Sequence, residues 1–303
     1  MTQKFDRRYR LLVDPNPNAF PPGANPPPVA IALPYSMEFT VNRQTLATGQ
    51  DATIRILNLA GATRDQLYKD PWWTTQQRYL TLFAGYKDFM PRIFYGLLMS
   101  CISWREGVST ITEFKANSLL FDINAADADL AIAPNATASA ILARLNQALP
   151  GASPNPIIGR FPAVYPRAYV LSGKIWQNIQ AVSNGLAVMD NGTLTALNDD
   201  EAVANASLPL ISSAIGIIGT PKRGQQAVEL SLIFEPRFTL LQVVQLQSAF
   251  SPVFNGTYKV QGFRHAGTIS HHVAGPLQTD VTLFRPGQGP FDPSLVSPSP
   301  TLP

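Results

Sequence analysis

Charged residues are scarce in this sequence of 303 amino acids. They make up 14% of the chain, against about 25% in a typical soluble domain. A surface with so few charges is typical of a protein that binds other proteins in an assembly. The alternative is a β-rich protein whose outer faces carry Ser, Thr, Asn and Gln. The net charge is +3, from 23 basic and 20 acidic residues, and the basic residues form only short clusters. This distribution argues against sequence-specific nucleic-acid binding.

Cysteine is nearly absent, and so are the motifs of common catalytic sites. The single cysteine, Cys101, cannot form an internal disulfide and favours a reducing compartment. Because it lies in an apolar run, a buried and unreactive thiol is expected. The sequence has no GxSxG, HExxH, glycine-rich phosphate loop or CxxC motif, and carboxylates such as Glu106 and Glu113 are scattered singly. We therefore predict a protein that is not an enzyme and has no cofactor.

Histidine is also rare, and the three histidines are His265, His271 and His272. All of them fall on one predicted hairpin, so a metal site is one interpretation. Sites with three protein ligands usually include a carboxylate or a cysteine, and further groups orient the ligands. His271 and His272 are adjacent and would point to opposite faces of a strand. We therefore expect no metal site.

The sequence does not show the pattern of a secretion signal or of a membrane span. Its first ten residues carry charge and lack the apolar core of a signal peptide. Residues 202–221 carry no charge, but polar residues and prolines interrupt them, whereas a span needs about 20 predominantly apolar residues. We expect no membrane insertion by this chain.

Proline, in contrast, is abundant near both ends. The chain has 27 prolines, and eight of them lie within residues 14–34. Because proline fixes φ and removes a backbone donor, residues 1–28 and 291–303 are predicted to be extended arms held by neighbouring subunits. Adjacent tryptophans are a further candidate contact, although they also suit a carbohydrate-stacking platform. The residues predicted to lie at interfaces are Phe20, Trp72, Trp73 and Phe291.

Hydrophobic periodicity divides the rest of the chain into three regions. Residues 29–120 and 206–290 alternate apolar and polar side chains, which predicts strands. Within the first of them, residues 93–104 are apolar at nearly every position, as in a strand covered on both faces. Residues 121–205 contain two helical patterns, the second with Ser172 as a candidate N-cap, and predict a small α/β module.

The first and third regions follow the same plan. Each has a strand in mid-region, then a strand led by an aromatic residue and, after a polar turn, a closing strand. This repetition suggests two related β-barrels, and a chance likeness of two antiparallel domains is the alternative. The predicted fold class is α+β and mainly β: two small antiparallel β-barrels separated by the α/β module, with proline-rich terminal arms.

Short motifs in all three regions resemble those of phage tail hub proteins of the gp27-like type, shared with the hubs of type VI secretion and other contractile injection machines. The match covers roughly residues 30–285 and rests on the order and spacing of the motifs. In the first region the motifs are residues 58–60 (NLA), 63–64 (TR), 82–88 (LFAGYKD), 93–96 (IFYG) and 103–107 (SWREG). In the second they are residues 171–176 (LSGKIW) and 189–194 (MDNGTL). In the third they are residues 219–221 (GTP), 234–237 (FEPR), 255–260 (NGTYKV) and 264–267 (RHAG).

The resemblance implies a non-enzymatic virion protein of the tail baseplate, assembled in the host cytoplasm. A homotrimer is implied, in which six barrels form a ring that joins a hexameric tail tube, or its initiator, to a trimeric central spike. Other baseplate proteins would contact the ring, and genomic DNA would pass through it without sequence-specific binding. The chain departs from the family in its proline-rich arms and shows no lysozyme-like or needle segment, so it is not expected to digest cell wall. The alternative from another class is a secreted β-rich carbohydrate-binding or hydrolytic protein, which would need a signal peptide or a cleft with paired carboxylates.

Overall fold

The computed structural model describes ten stretches of the chain, and the fold is given for these. They are residues 6–15, 27–45, 50–71, 78–87, 89–118, 126–149, 151–203, 210–224, 227–271 and 275–284. The four residues predicted to lie at interfaces, Phe20, Trp72, Trp73 and Phe291, fall outside the described residues, as does His272. The roles predicted for them, and for the C-terminal tail 291–303, stay predictions.

The first region contains strands whose side chains alternate between a buried and an exposed face. Met37, Phe39 and Val41 are buried, whereas Glu38 between them is exposed, because successive side chains of a strand point to opposite faces. The elements are β1 (Arg7–Pro15), β2 (Val29–Ala32), β3 (Met37–Gln44), β4 (Asp51–Leu57), α1 (Gly61–Leu67), β5 (Arg78–Tyr86), β6 (Arg92–Glu106) and β7 (Ser109–Asn117).

The structure differs from the predicted N-terminal arm, residues 1–28, at β1. This strand lies inside the sheet between β5 and β2, and Tyr9, Leu11 and Val13 are buried in the core of the first region. These three residues alternate with polar or half-buried ones and precede the proline-rich stretch. Since burying such side chains is worth about 1.5–3 kcal/mol each, this segment gains more by joining the sheet than by remaining an arm.

The second region is a small α/β module with both predicted helices and the predicted hairpin. Thr137 caps the first helix by accepting a hydrogen bond from the amide of Ala140 (3.3 Å). Ser172, the predicted cap of the second helix, lies in a strand instead, and Lys174 occupies the N-cap position without a side-chain cap. The elements are β8 (Asp127–Ile132), β9 (Ala136–Thr137), α2 (Ala138–Ala148), β10 (Ile157–Ile158), β11 (Val164–Tyr165), β12 (Tyr169–Lys174), α3 (Ile175–Val182), β13 (Ala187–Asp190) and β14 (Thr193–Ala196).

The third region returns to strands with the predicted alternation. Val228, Leu230 and Leu232 are buried, and the residues between them face the other side of the sheet. The elements are β15 (Leu210–Ser212), β16 (Ile217–Arg223), β17 (Ala227–Ile233), β18 (Val243–Gln247), β19 (Gly256–Ile269) and β20 (Leu277–Phe284).

Hydrogen bonds join the strands of the first and third regions into one sheet. Its order is β16-β17-β20-β19-β3-β4-β7-β6-β5-β1-β2, and β18 and β15 attach beside β19. The joint is the antiparallel pair of β3 and β19, which runs from Gln44 opposite Gly262 to Met37 opposite Ile269. The mainly β fold class is confirmed. Among the strands that the structure describes no pair closes a barrel, so the two-barrel prediction is not confirmed.

The plan that the sequence predicted for the first and third regions is confirmed as a repeated strand order. The first region runs β3-β4-β7-β6-β5 across the sheet, and the third runs β16-β17-β20-β19-β18. The two long strands, β6 and β19, also carry a β-bulge at the equivalent place. It lies between Leu98 and Ser100 in one and between Val260 and Gly262 in the other. Because a bulge is a specific local feature, its recurrence fixes which residues of the two repeats correspond.

Each repeat packs on its own apolar core, and the module has a third. The core of the first repeat is built around residues such as Phe94 and Phe114 and takes in Phe234 from the third region. The core of the second repeat centres on Phe238, Tyr258 and neighbouring aliphatic residues. Helices α2 and α3 pack on the sheet fragments of the module in the remaining core. The chain is therefore three packed units, with the two repeats sharing a sheet.

Candidate interaction surface

A buried ion pair connects all three units. The Arg43 guanidinium, on β3, donates to the Asp190 carboxylate at the end of β13, and both side chains are about 5% exposed. The Asp190 carboxylate also accepts a hydrogen bond from the amide of Leu240 (3.4 Å), and the guanidinium lies 4.7 Å from the ring centroid of Phe263. One carboxylate thus fixes the module against both repeats.

Neighbouring polar contacts extend this joint to the surface. The Gln50 side-chain amide donates to the carbonyl of Met189 (3.0 Å). Arg92 donates to the carbonyl of Asn191 (3.2 Å), and the Asn191 side chain donates back to the carbonyl of Arg92 (3.4 Å). Asn191 and Gly192 have φ of 50° and 78°, the left-handed turn that sequences such as Asn-Gly adopt readily. The turn that the sequence predicted is therefore the piece of the module that docks on the first repeat.

The groups most often used in catalysis are buried as parts of the cores. His265 is fully buried, with Nδ1 2.8 Å from the Thr279 hydroxyl, and its ring packs on those of Phe234 and Phe263. Burial, with Arg43 nearby, lowers the pKa of His265 to about 3, so it is neutral. Burial raises the pKa of the Cys101 thiol to about 12. Neither group is placed to react or to bind a ligand.

Within the described ranges, no three His, Cys, Asp or Glu side chains gather as a metal site would require. Those ranges also contain no helix that is both long enough and apolar enough to span a membrane. His271 is exposed.

Lys259 gives the fold a dependence on pH. Its ammonium donates to the carbonyls of Asn198 (3.2 Å) and Asp199 (3.0 Å), and burial lowers its pKa from 10.5 to about 8. Between these two pH values the unfolded chain holds a proton that the folded chain has lost, so the free energy of unfolding rises with pH.

We therefore expect stability to increase from about pH 8 to about pH 10 and the Lys259→Met variant to show a shallower rise. The rise in stability ends near pH 10 because burial raises the pKa of Tyr86 from 10.0 to about 12. Above pH 10 the folded chain keeps a proton that the unfolded chain has lost, so the free energy of unfolding falls with pH. Urea unfolding at several pH values measures both slopes. Lys69 contributes a rise of the same sign, since burial lowers its pKa to about 8, so the variant should keep part of the slope. Equal slopes for the two proteins would contradict this assignment.

Two strand edges of the shared sheet, one on β16 and one on the second half of β6, have no neighbour among the described strands. β16 pairs with β17 on one side, and no described strand lies on its other side. In β6, residues Arg92–Leu97 pair with β5, whereas residues 102–106 pair only with β7 among the described strands. Each open edge carries exposed apolar side chains. They are Ile218 on β16 and Ile102 and Trp104 on β6.

The sequence indicated these edges only in part. The apolar run 93–104 predicted a strand covered on both faces, yet Ile102 and Trp104 in its second half are exposed. The buried pair of Arg43 and Asp190 was missed, because Arg43 stands in no motif and the two residues are 147 positions apart. An unusually apolar strand end that the described residues leave exposed is the signal that points to an interface.

Comparisons with known proteins agree with this architecture. Residues 164–268 match the family model described as Baseplate hub gp41. This span starts within the module and runs through most of the second repeat. No curated protein matches the chain in sequence.

Several solved structures share the whole fold at low sequence identity. A tail protein from Neisseria meningitidis MC58 has a TM-score of 0.59 at 10% identity, covering 92% of this chain and 96% of its own. The 43 kDa tail protein of prophage MuSo2 from Shewanella oneidensis has a TM-score of 0.59 at 7% identity, with 91% and 97% covered. An E. coli component of the type VI secretion system, described as similar to the T4 tail proteins gp27 and gp5, has a TM-score of 0.55 at 10% identity, with 87% and 78% covered.

The likeness to solved structures shows the fold, and the family match adds sequence similarity over part of the chain. Both agree with the motifs in residues 30–285. The resemblance to phage baseplate hub proteins is therefore confirmed: the chain has the fold of phage tail and type VI secretion proteins, and over residues 164–268 it is similar to the baseplate hub protein gp41.

Proposed function

We propose that the chain is a structural, non-enzymatic component of a contractile phage tail, namely a trimeric baseplate hub. In this role it joins the hexameric tail tube, or the protein that initiates the tube, to the trimeric central spike. It also contacts other baseplate proteins and surrounds the path of the genomic DNA. The chain is then a virion protein of the tail baseplate, assembled in the host cytoplasm. The repeat of one strand order in the first and third regions is the observation that carries the proposal.

The repeat supports the proposal through symmetry. A cyclic trimer of identical chains offers three equivalent faces, whereas a hexameric tube presents six. Two repeats in each chain supply six similar faces while the particle keeps threefold symmetry for the spike. The bulge at Leu98 in the first repeat and at Val260 in the second shows how closely the two repeats correspond.

We further propose that each repeat curls into a small barrel around its own core. Fully buried Phe94 and Phe114 lie inside the first repeat, and Phe238 and Tyr258 lie inside the second. A sheet whose one face encloses a separate core at each end is compatible with two barrels that share the pair β3–β19. The faces of these barrels then serve as the six docking positions.

The face of the shared sheet that points away from the cores suits a DNA path. It carries more acidic than basic side chains, and little on it would hold a phosphate backbone, whose binding depends on neutralisation by Lys and Arg. Such a lining lets DNA pass without being retained. The charged residues of this face include Glu38, Asp51, Glu113, Glu229, Asp280, Arg55, Lys115 and Arg264.

The terminal segments and the tryptophan pair are proposed to contact neighbouring proteins of the baseplate. A proline-rich segment cannot bury enough apolar area to offset an ordering cost of about 1–2 kcal/mol per residue. Contacts from another subunit would supply that area. The proposed anchors are Phe20, Trp72, Trp73 and Phe291.

End-on images of the purified full chain by electron cryo-microscopy test the proposal. We expect a ring with threefold symmetry, six lobes around its wall and an open axial channel, because two repeats per chain alternate around the ring. A compact single-chain particle, or an open filament without closure, would contradict the proposal.

A further inference from the structure

The second half of β6, residues 102–106, is hydrogen-bonded to a described strand on one side only. Sequence periodicity gives it apolar residues on both sides, as in a strand covered on both faces, yet Ile102 is 41% and Trp104 is 37% exposed. On the side away from β7, Cys101 exchanges main-chain hydrogen bonds with Lys69. Among the described residues, Ser103 and Arg105, the next residues whose main chain points to that side, have no such partner. This edge can therefore accept another strand.

The equivalent half of β19 is complete, and it shows what the missing strand would be. The bulges place Ser100 in register with Gly262, so Ser103 corresponds to His265 and Glu106 to Thr268. In β19 this half is covered by β3, which is the first strand of the other repeat. By the same rule, the second half of β6 would be covered by the first strand of a second repeat.

That strand is β16, and none of the described strands pairs with its outer edge. β3 pairs with β4 as β16 pairs with β17, so Met37 corresponds to Ile217 and Val41 to Arg223. β16 is one end of the sheet order, and six strands separate it from β6. Among the described strands the two edges do not pair with each other within one copy, and they suit a head-to-tail contact between copies.

We propose that β16 of one copy pairs antiparallel with residues 102–106 of β6 in the next copy. The inference rests on the proposed trimeric hub and specifies its subunit interface. Transferring the register of β3 and β19 places Ile218 opposite Glu106, Ile217 opposite Gly107 and Arg223 opposite Ser103. Ile218 (46% exposed) then lies diagonally across the new strand pair from Trp104, which precedes Glu106 by two residues on the same face.

Repeating this contact three times closes the sheet. Each copy contributes the eight-strand path from β16 to β6, and three such paths at about 4.8 Å per strand enclose a barrel roughly 40 Å across at the backbone. The cores and the module lie on one side of the path, so the opposite, largely polar face lines the interior. A barrel of this width admits a DNA duplex.

Disulfide trapping tests the register. Ile218 and Glu106 are both exposed and would form a pair without main-chain hydrogen bonds, with Cα atoms about 4.5 Å apart, a distance that a disulfide spans. The full chain carrying Ile218→Cys and Glu106→Cys is oxidised and run without reductant. We expect covalent dimers and trimers from the double variant and none from either single variant.

The matched control moves one cysteine along the same strand face. Ile218→Cys combined with Ile102→Cys displaces the second thiol by four residues, about 13 Å, and should give no cross-link. Cross-linking of the control as well as the test pair would overturn the proposed register. A trimer by mass that never cross-links in the test pair would overturn this interface and leave the trimeric hub intact, whereas a monomer by mass would remove both.

Hydrogen exchange of the unmodified chain provides a second measurement that needs no variant. In the proposed interface the amide of Ser103 donates to β16 of the next copy, so it should exchange at least tenfold more slowly in the assembled form than in dissociated chains. Equal exchange rates in the two forms would overturn the pairing.

Discussion

Replacing Asp190 by alanine is expected to lower the free energy of unfolding by about 3–5 kcal/mol. The change leaves the Arg43 guanidinium, which is about 5% exposed, without its carboxylate. The desolvation free energy of the remaining buried charge is then no longer offset by its partner. It also takes away the acceptor for the amide of Leu240. Urea unfolding monitored by circular dichroism measures the loss.

The surface ion pair of Arg160 and Asp200 is the matched control. Their side chains are 78% and 61% exposed, so Asp200→Ala should cost at most about 1 kcal/mol. The Asp190→Asn variant should fall between the two, because it keeps an oxygen acceptor but loses the charge. Similar losses for Asp190→Ala and Asp200→Ala would mean that the buried pair does not hold the three units together.

Replacing Phe234 by alanine should have an equally large effect, about 3–5 kcal/mol of unfolding free energy. Phe234 directly follows β17 of the second repeat but belongs to the core of the first, where its ring contacts those of Phe39, Tyr86 and His265. It is fully buried, so truncation leaves a cavity at the joint between the repeats. Calorimetric or denaturant unfolding of the variant measures the change.

The control is Phe250→Ala, the same substitution at an exposed phenylalanine. Phe250 is 82% exposed, and surface substitutions usually change stability by no more than about 0.5 kcal/mol. If Phe234→Ala were no more destabilising than Phe250→Ala, the two repeats would not share a core residue in the way described.

Local patterns in the sequence predicted the elements of the fold well. Alternation along β3 and β17, the alanine-rich helix α2 and the Asn191-Gly192 turn all depend on neighbours within a few residues, and each is present. The shared plan of the two repeats could be predicted for the same reason, since it is a matter of strand order along the chain. These features need no knowledge of distant contacts.

The features that sequence reasoning missed depend on pairing across long separations. β3 and β19 lie more than 200 residues apart, and nothing local marks them as partners that merge two domains into one sheet. β1 was hidden because the prolines after it dominated the composition of the N-terminal segment. The Arg43–Asp190 pair needed the positions of two different units, and a charged residue in a turn ordinarily faces solvent.

The candidate surface was predictable only where the periodicity was broken. Residues 93–104 are too apolar for a half-exposed strand. Ile102 and Trp104 are exposed in the half of β6 that pairs only with β7 among the described strands. Identifying the partner edge required the bulge correspondence between β6 and β19, which only the register of hydrogen bonds reveals. Sequence indicated that something covers the strand, and the structure suggests what it is.

Native mass spectrometry of the purified full chain tests the central claim most directly. Each chain has a mass of 33.0 kDa, and we predict a dominant species of three times that mass, which persists on dilution because every copy engages both open edges. A spectrum dominated by a single chain at all concentrations, or by dimers without trimers, would contradict the account.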